Sequence, residues 1–157
     1  IMDHLEAIEI IDNFLSEKSC KDLIAYYENN EQMQRSWYTT KSINITKINQ
    51  FDYLFNNINR HTLKKNCKID WIEIVKWGDN SSQSLHYDTS SKETVYSSIS
   101  YLNHNYVGGQ TFFEEGTIIS PKEKRMLFFN GMHYKHGVMP VKKGPRYTLA
   151  AWYKIIN

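Results

Sequence analysis

Only two of the 157 residues are cysteine, Cys20 and Cys67, and they stand far apart with no CxxC spacing. That excludes a disulfide-stapled scaffold; both fall in segments that read as helical, so buried free thiols in a reducing, cytoplasmic compartment are expected. No apolar run approaches the roughly 20 residues of a membrane span, so no membrane partner is expected. The first residues lack the basic-then-apolar pattern of a secretory leader, and Ile1 ahead of Met2 reads as an added residue that says nothing of what lies upstream. Charge of one sign is also missing. Nineteen Lys and Arg against 17 Asp and Glu leave +2, too mild to imply a nucleic-acid partner. Repeats, low-complexity tracts and linkers are absent as well, so one domain over residues 1–157 is the simplest division. What is present is 41% apolar residues with 14% aromatics. A chain of this length buries roughly two-thirds of its unfolded surface and needs no staple.

Residues 7–14 read as a short opening strand. Ser16 is then a good N-cap, with Glu17 in the first turn, for a helix running to about Asn29. Residues 34–49 are polar and broken in pattern, with Trp37 and Tyr38 conspicuous. A second helix over about 50–65 carries Phe51, Leu54, Phe55, Ile58 and Leu63 at helical spacing. From residue 69 the period becomes two. Strands are expected over 69–77, 94–103, 110–114, 117–120, 126–130, 138–142 and 146–156, with 85–89 short and extended and 78–84 a loop. This gives an α+β, mainly β chain: a helical lead-in over about 15–66, packed outside a β sandwich or barrel over about 69–156.

Three pieces carry chemistry. His86 and Asp88, two residues apart in an extended segment, point the same way. A second histidine from a distant strand would complete the 2-His-1-carboxylate face of a non-haem Fe(II) oxygenase, which leaves three coordination positions open. His133 and His136 both compete for that place. Arg146 heads an alternating apolar strand in which Arg146, Thr148, Ala150 and Trp152 share a face, and a buried guanidinium there suits a bidentate carboxylate clamp. His4, His61 and His104 have no partner at ligand spacing, and Gly108-Gly109 reads as a tight turn.

In order along the chain, Ser100-Tyr101-Leu102-Asn103, Gly108-Gly109-Gln110-Thr111, Pro121 through Phe129, His136-Gly137-Val138-Met139-Pro140-Val141, Gly144-Pro145-Arg146-Tyr147 and Trp152-Tyr153 resemble the prolyl 4-hydroxylase branch of the Fe(II)- and 2-oxoglutarate-dependent dioxygenases. The resemblance covers about Trp71 to Tyr153, and the opening stretch from Ile11 to Ser16 is similar to the family's lead-in. It implies a double-stranded β-helix (jelly-roll) core with the N-terminal helices packed on one sheet. It also implies metal ligands His86, Asp88 and His136, since only His136 lies in the HGxxPV context ten residues before Arg146. Arg146 would hold 2-oxoglutarate, with Tyr101, Thr148 and Trp152 around it. Trp77 stands where the family often has Tyr, and an indole N–H donates but does not accept. Fe(II), 2-oxoglutarate and O₂ are the implied cofactors and co-substrates, with ascorbate as an optional addition. The implied reaction is C–H hydroxylation coupled to decarboxylation of 2-oxoglutarate to succinate, on a peptide or protein that contains proline. Residues 79–84 and 89–93 with Trp37-Tyr38 would line the mouth.

Other readings are a hydroxylase of a free amino acid or other small molecule, and a non-catalytic binding module on the same barrel. A nucleic-acid demethylase is disfavoured because Arg146 is the last Arg of the chain. A zinc cupin is disfavoured because Tyr87 and Thr89 flank the first two candidate ligands.

Overall fold

The computed structural model describes residues 6–88 and 93–157. In chain order the elements are β1 (Glu9–Ile11), α1 (Glu17–Glu28), β2 (Arg35–Trp37), β3 (Thr40–Asn44), α2 (Asp52–Thr62), β4 (Cys67–Trp77) and β5 (Gln83–His86). They continue with β6 (Thr94–Tyr101), β7 (Val107–Gly108), β8 (Thr111–Phe113), β9 (Ile118–Ile119), β10 (Met126–Asn130), β11 (His136–Val138), β12 (Val141–Lys142) and β13 (Arg146–Ile155). A seven-stranded sheet runs β1-β10-β6-β13-β4-β3-β2, and a four-stranded sheet runs β5-β11-β8-β9. The β12-β7 pair lies apart from both. This mainly β arrangement with two outer helices is the expected double-stranded β-helix.

Ser16 caps α1 as its sequence suggests, its Oγ accepting the Ser19 N–H at 3.0 Å. Short 3₁₀ turns, Asn49–Phe51 and Leu63–Lys65, flank α2, and Asn66 ends that stretch in the left-handed region. Both helices bury their apolar stripes on one face of the large sheet. Leu23 and Tyr27 of α1 and Leu54 and Ile58 of α2 join Ile72 and Ile74 of β4, Met126 and Phe128 of β10, and Leu149, Ala151 and Tyr153 of β13. Cys20 in α1 and Cys67, which opens β4 and does not lie in a helix as expected, are free thiols in that layer, and burial pushes the pKa of each up to about 11, so neither is poised to react. No helix of the described residues is long and apolar enough to cross a membrane.

Strand alternation turns this layer into a scaffold for a site. While Tyr147, Leu149, Ala151 and Tyr153 face the helices, Arg146, Thr148, Ala150 and Trp152 face the interior between the sheets. β4 divides in the same way, with Ile72 and Ile74 outward and Glu73, Val75 and Trp77 inward.

Two sequence expectations need correction. Residues 34–49 are not merely irregular: β2 and β3 form a hairpin that extends the large sheet, Ser42 pairing with Val75 and Ile43 with Ile74. Its turn places Tyr38 at φ +49° without Gly or Asn to mark it, and β2 is exposed throughout, so no alternating apolar pattern advertises the strand. The expected strand over 138–142 is two strands in different sheets: β11 pairs with β5 and β8, and β12 pairs with β7. Pro140, which has no N–H to give a ladder, stands between them and accepts the Gly109 N–H through its carbonyl.

The helix layer sets the stability. Leu23→Ala should lower the free energy of unfolding by about 2–5 kcal/mol in a chemical denaturation series. Tyr53→Ala, on the exposed side of α2 at 78% exposure, should stay within about 0.5 kcal/mol of the parent.

Candidate metal and co-substrate site

β5 and β11 are antiparallel neighbours with His86 opposite His136, and Asp88 follows two residues after His86. Asp88 is tied in place by its own N–H, which bonds the Gly131 carbonyl at 3.0 Å. The result is a compact cluster. His86 Nε2 lies 3.2 Å from Asp88 Oδ1, and His136 Nε2 lies 3.2 Å from Asp88 Oδ2. One ligand atom from each of the three falls within 4.8 Å of the others, a spacing that could hold a metal ion. Both histidines are turned the same way by backbone. His86 Nδ1 donates to the Ser84 carbonyl at 2.9 Å, and His136 Nδ1 to the Tyr134 carbonyl at 3.2 Å. A carbonyl can only accept, so each Nδ1 carries a proton and each Nε2 faces the cluster, where it donates to Asp88 while protonated and offers its lone pair to an ion once deprotonated.

The electrostatics agree. Burial pushes the Asp88 carboxyl up, but hydrogen bonds and charge from His136 and His86 outweigh it and hold the group far below the usual carboxylate range. Burial pushes His86 down, while the Asp88 hydrogen bond, the Ser84 carbonyl and the Asp88 charge together raise it above the ordinary imidazole value. His133 is excluded by position. It is exposed in the turn after β10, its N–H on the Asn130 side chain, outside the cluster. His61 bonds Glu9 at 2.5 Å and His104 accepts the Glu123 N–H at 2.9 Å, which accounts for both; His4 lies outside the described residues.

The cluster opens into a cavity of about 650 Å³ between the two sheets. Arg146 closes one end. It is 1% exposed, its Nε donates to the Gly109 carbonyl at 3.0 Å, and its guanidinium lies over the rings of Trp77 (4.8 Å) and Tyr101 (5.4 Å). Among the described residues its Nη2 has no acceptor and no carboxylate pairs with it. A permanently charged group buried without a counter-ion is costly. The Trp77 Nε1 proton is also buried without an acceptor. A carboxylate entering this end would satisfy both donors, which is the fit required of the far end of 2-oxoglutarate. Gly109 is necessary here: at φ +69° a Cβ would stand 3.0 Å from Arg146 Cδ and 3.0 Å from the Tyr106 ring.

Thr148 and Trp77 line the cavity at the Arg146 end, and Trp152 lines it six residues further along β13. Tyr101 stands beneath the clamp. Its hydroxyl bonds Thr111 Oγ1 at 2.5 Å and its ring supports the guanidinium face, so its contact is with Arg146 rather than with the open space. Tyr106 was not foreseen. It packs against Arg146 with Trp77, Val75, Val138 and Val141, and its only sequence signal is its place just before Gly108-Gly109. At the mouth, Trp37 and Tyr38 make an exposed edge-to-face pair with centroids 5.0 Å apart, so Trp37 is not a core residue. Ser82, Gln83 and Ser84 also line the mouth. Asp79, Asn80 and Ser81 do not; they are tied to residues 141–144, for example through Asp79 Oδ1, which accepts the Gly144 N–H at 2.6 Å. Residues 89–92 of the second expected mouth loop lie outside the described residues.

A profile of the 2OG-Fe(II) oxygenase superfamily matches residues 72–154, more than half of the chain. The chain belongs to this superfamily. It is a 2-oxoglutarate-dependent dioxygenase of prolyl 4-hydroxylase-like fold, and its family uses Fe(II), 2-oxoglutarate and O₂. Solved structures agree on the fold. The viral collagen prolyl hydroxylase of Paramecium bursaria Chlorella virus-1, in its 2-oxoglutarate complex, is 18% identical with a TM-score of 0.76 and 97% of each chain covered. A Pseudomonas putida prolyl-4-hydroxylase is 15% identical at TM-score 0.78, over 94% of this chain and 92% of that one. The Trichoplax adhaerens prolyl hydroxylase, solved with a hypoxia inducible factor oxygen degradation domain peptide fragment, is 18% identical at TM-score 0.79, over 94% and 83%. No curated protein matches the chain in sequence.

Metal binding tests the cluster. In calorimetric titration with Co(II), His136→Ala should abolish binding while His133→Ala keeps the parent affinity. The affinity of the parent should fall as pH drops from about 7.5 to about 5.5, because each imidazole must lose a proton to coordinate, while Asp88 stays ionised throughout that range.

Proposed function

We propose that the protein hydroxylates a prolyl residue in a peptide or protein, with decarboxylation of 2-oxoglutarate to succinate. The observation that carries this reading is the pairing, across one cavity, of the His86-Asp88-His136 cluster with a buried guanidinium that lacks a counter-ion. Bound Fe(II) supplies activation of O₂ and oxidation of the substrate C–H bond. His86, Asp88 and His136 would hold the ion, their orientation set by the Ser84 and Tyr134 carbonyls and the Gly131 backbone. Arg146 would grip the far carboxylate of 2-oxoglutarate, with Trp77 donating beside it, and so orient the co-substrate in the cavity. Val75, Val138 and Ile99 line the space between and keep water from it.

Support for a prolyl substrate comes from the mouth. The exposed Trp37 and Tyr38 and the half-buried Trp152 offer flat apolar faces suited to a pyrrolidine ring in an extended peptide. The solved prolyl hydroxylases of the same fold point the same way.

Arg146→Lys should raise the 2-oxoglutarate requirement of substrate-uncoupled succinate formation, at a cost of about 2–5 kcal/mol in co-substrate binding, since an ammonium cannot replace the bidentate fork. An unchanged requirement would move the clamp elsewhere. Incubation of a peptide array with Fe(II) and 2-oxoglutarate should give a gain of one oxygen on proline-containing members. Turnover confined to free amino acids or other small molecules would replace the prolyl reading.

A further inference from the structure

One carboxylate inside the cavity takes no part in the chemistry above. Glu73 lies on the inward face of β4, four residues from Trp77, and so roughly 13 Å from the end where Arg146 sits. It accepts one hydrogen bond, from Trp71 Nε1 at 2.9 Å, and no Lys, Arg or His among the described residues pairs with it. Elsewhere in the fold acidic groups find cations: Glu9 meets Lys64 and His61, Asp12 meets Arg125 and Lys122, and Glu28 meets Lys76. Burial pushes the Glu73 carboxyl up, partly offset by the Trp71 hydrogen bond, so its ionised form is under-compensated in the free protein.

Its position relative to the metal cluster follows from register. Glu73 pairs with Ala150, which in turn pairs with Ile99, so two strand spacings, roughly 10 Å, separate Glu73 from Ile99 across the cavity floor. The cluster stands over the same part of β6. A Cβ on Gly131 would touch both Ser97 Oγ (2.6 Å) and Asp88 Cβ (3.0 Å), and Ser97 pairs with Trp152. Trp152 is the diagonal neighbour of Glu73 across β13, and Trp71 is its same-face neighbour on β4. A carboxylate with one indole N–H bonded to it and a second indole diagonal to it on the same face is a site for an organic cation, which gains a charge-assisted hydrogen bond beside an aromatic surface.

We infer that Glu73 selects substrates carrying a Lys or Arg side chain within one or two residues of the hydroxylated proline. The inference rests on the prolyl reading of the site. Bound there, the cation supplies the counter-charge that Glu73 lacks, while an acidic neighbour in the substrate is repelled.

The test uses three peptides identical except for Lys, Gln or Glu beside the target proline, each scored by mass for one added oxygen under Fe(II) and 2-oxoglutarate. The parent protein should favour Lys over Gln by about tenfold or more in kcat/KM, the worth of one hydrogen bond to a charged group. Glu73→Gln should level the Lys and Gln peptides, and Glu73→Lys should move the preference to the Glu peptide, a gain that a misfolded variant cannot produce. Hydroxylation of all three peptides at equal rates by the parent protein would overturn the inference and leave the prolyl reading standing. Hydroxylation of none of them, with turnover only on small molecules, would overturn the prolyl reading and this inference with it.

Discussion

A guanidinium buried without a counter-ion is the constraint around which this fold is arranged. Arg146 is 1% exposed and fixed by the Gly109 carbonyl, with Trp77 and Tyr101 beneath its faces. Leaving such a charge unpaired opposes folding, so its surroundings must be held by other means. The other face of the same strand provides them. Leu149, Ala151 and Tyr153 lock β13 to the helix layer, and the ladder to β4 and β6 on either side fixes where the guanidinium points. The cost of the buried charge is offset by packing on the back of the strand.

The metal cluster is built differently. Its residues come from the smaller sheet and the loop after β5, and its geometry depends on backbone carbonyls more than on apolar packing. The Ser84 and Tyr134 carbonyls each accept a hydrogen bond from the Nδ1–H of the histidine two residues on, and the Gly131 carbonyl accepts from the Asp88 N–H. Gly137, next to His136, lets β11 approach β5 closely, since a Cβ there would stand 2.5 Å from the Gln83 carbonyl oxygen. One sheet thus presents the ion-binding groups, the other presents the clamp, and the distance between sheets sets the room for the co-substrate.

Much of this is written locally in the chain. The period-two pattern of β13 shows that Arg146, Thr148, Ala150 and Trp152 share a face, and the HxD spacing shows that His86 and Asp88 do. Choosing His136 over His133 needed the surrounding HGxxPV pattern, because either histidine alone is an equally good ligand. What could not be read locally depends on neighbours distant in sequence. Tyr106 and Tyr101 matter through contact with Arg146, roughly 40 residues away along the chain. β2 carries no apolar alternation because both of its sides are exposed, and Pro140 hides a change of sheet inside what looks like one strand. Glu73 shares the Val75-Trp77 face of β4 by alternation alone, but which groups stand across from it follows only from the register with Ala150 and Ile99.

The central claim is that one cavity joins an ion held by two imidazoles and a carboxylate to a dicarboxylate held by a guanidinium. A crystal structure of the protein grown without oxygen in Mn(II) and 2-oxoglutarate tests it most directly. The account predicts Mn(II) within coordination distance of His86 Nε2, Asp88 and His136 Nε2, and the far carboxylate of the co-substrate on Arg146 Nη2 and Trp77 Nε1. Manganese bound without His136, or a co-substrate carboxylate resting away from Arg146, would contradict it.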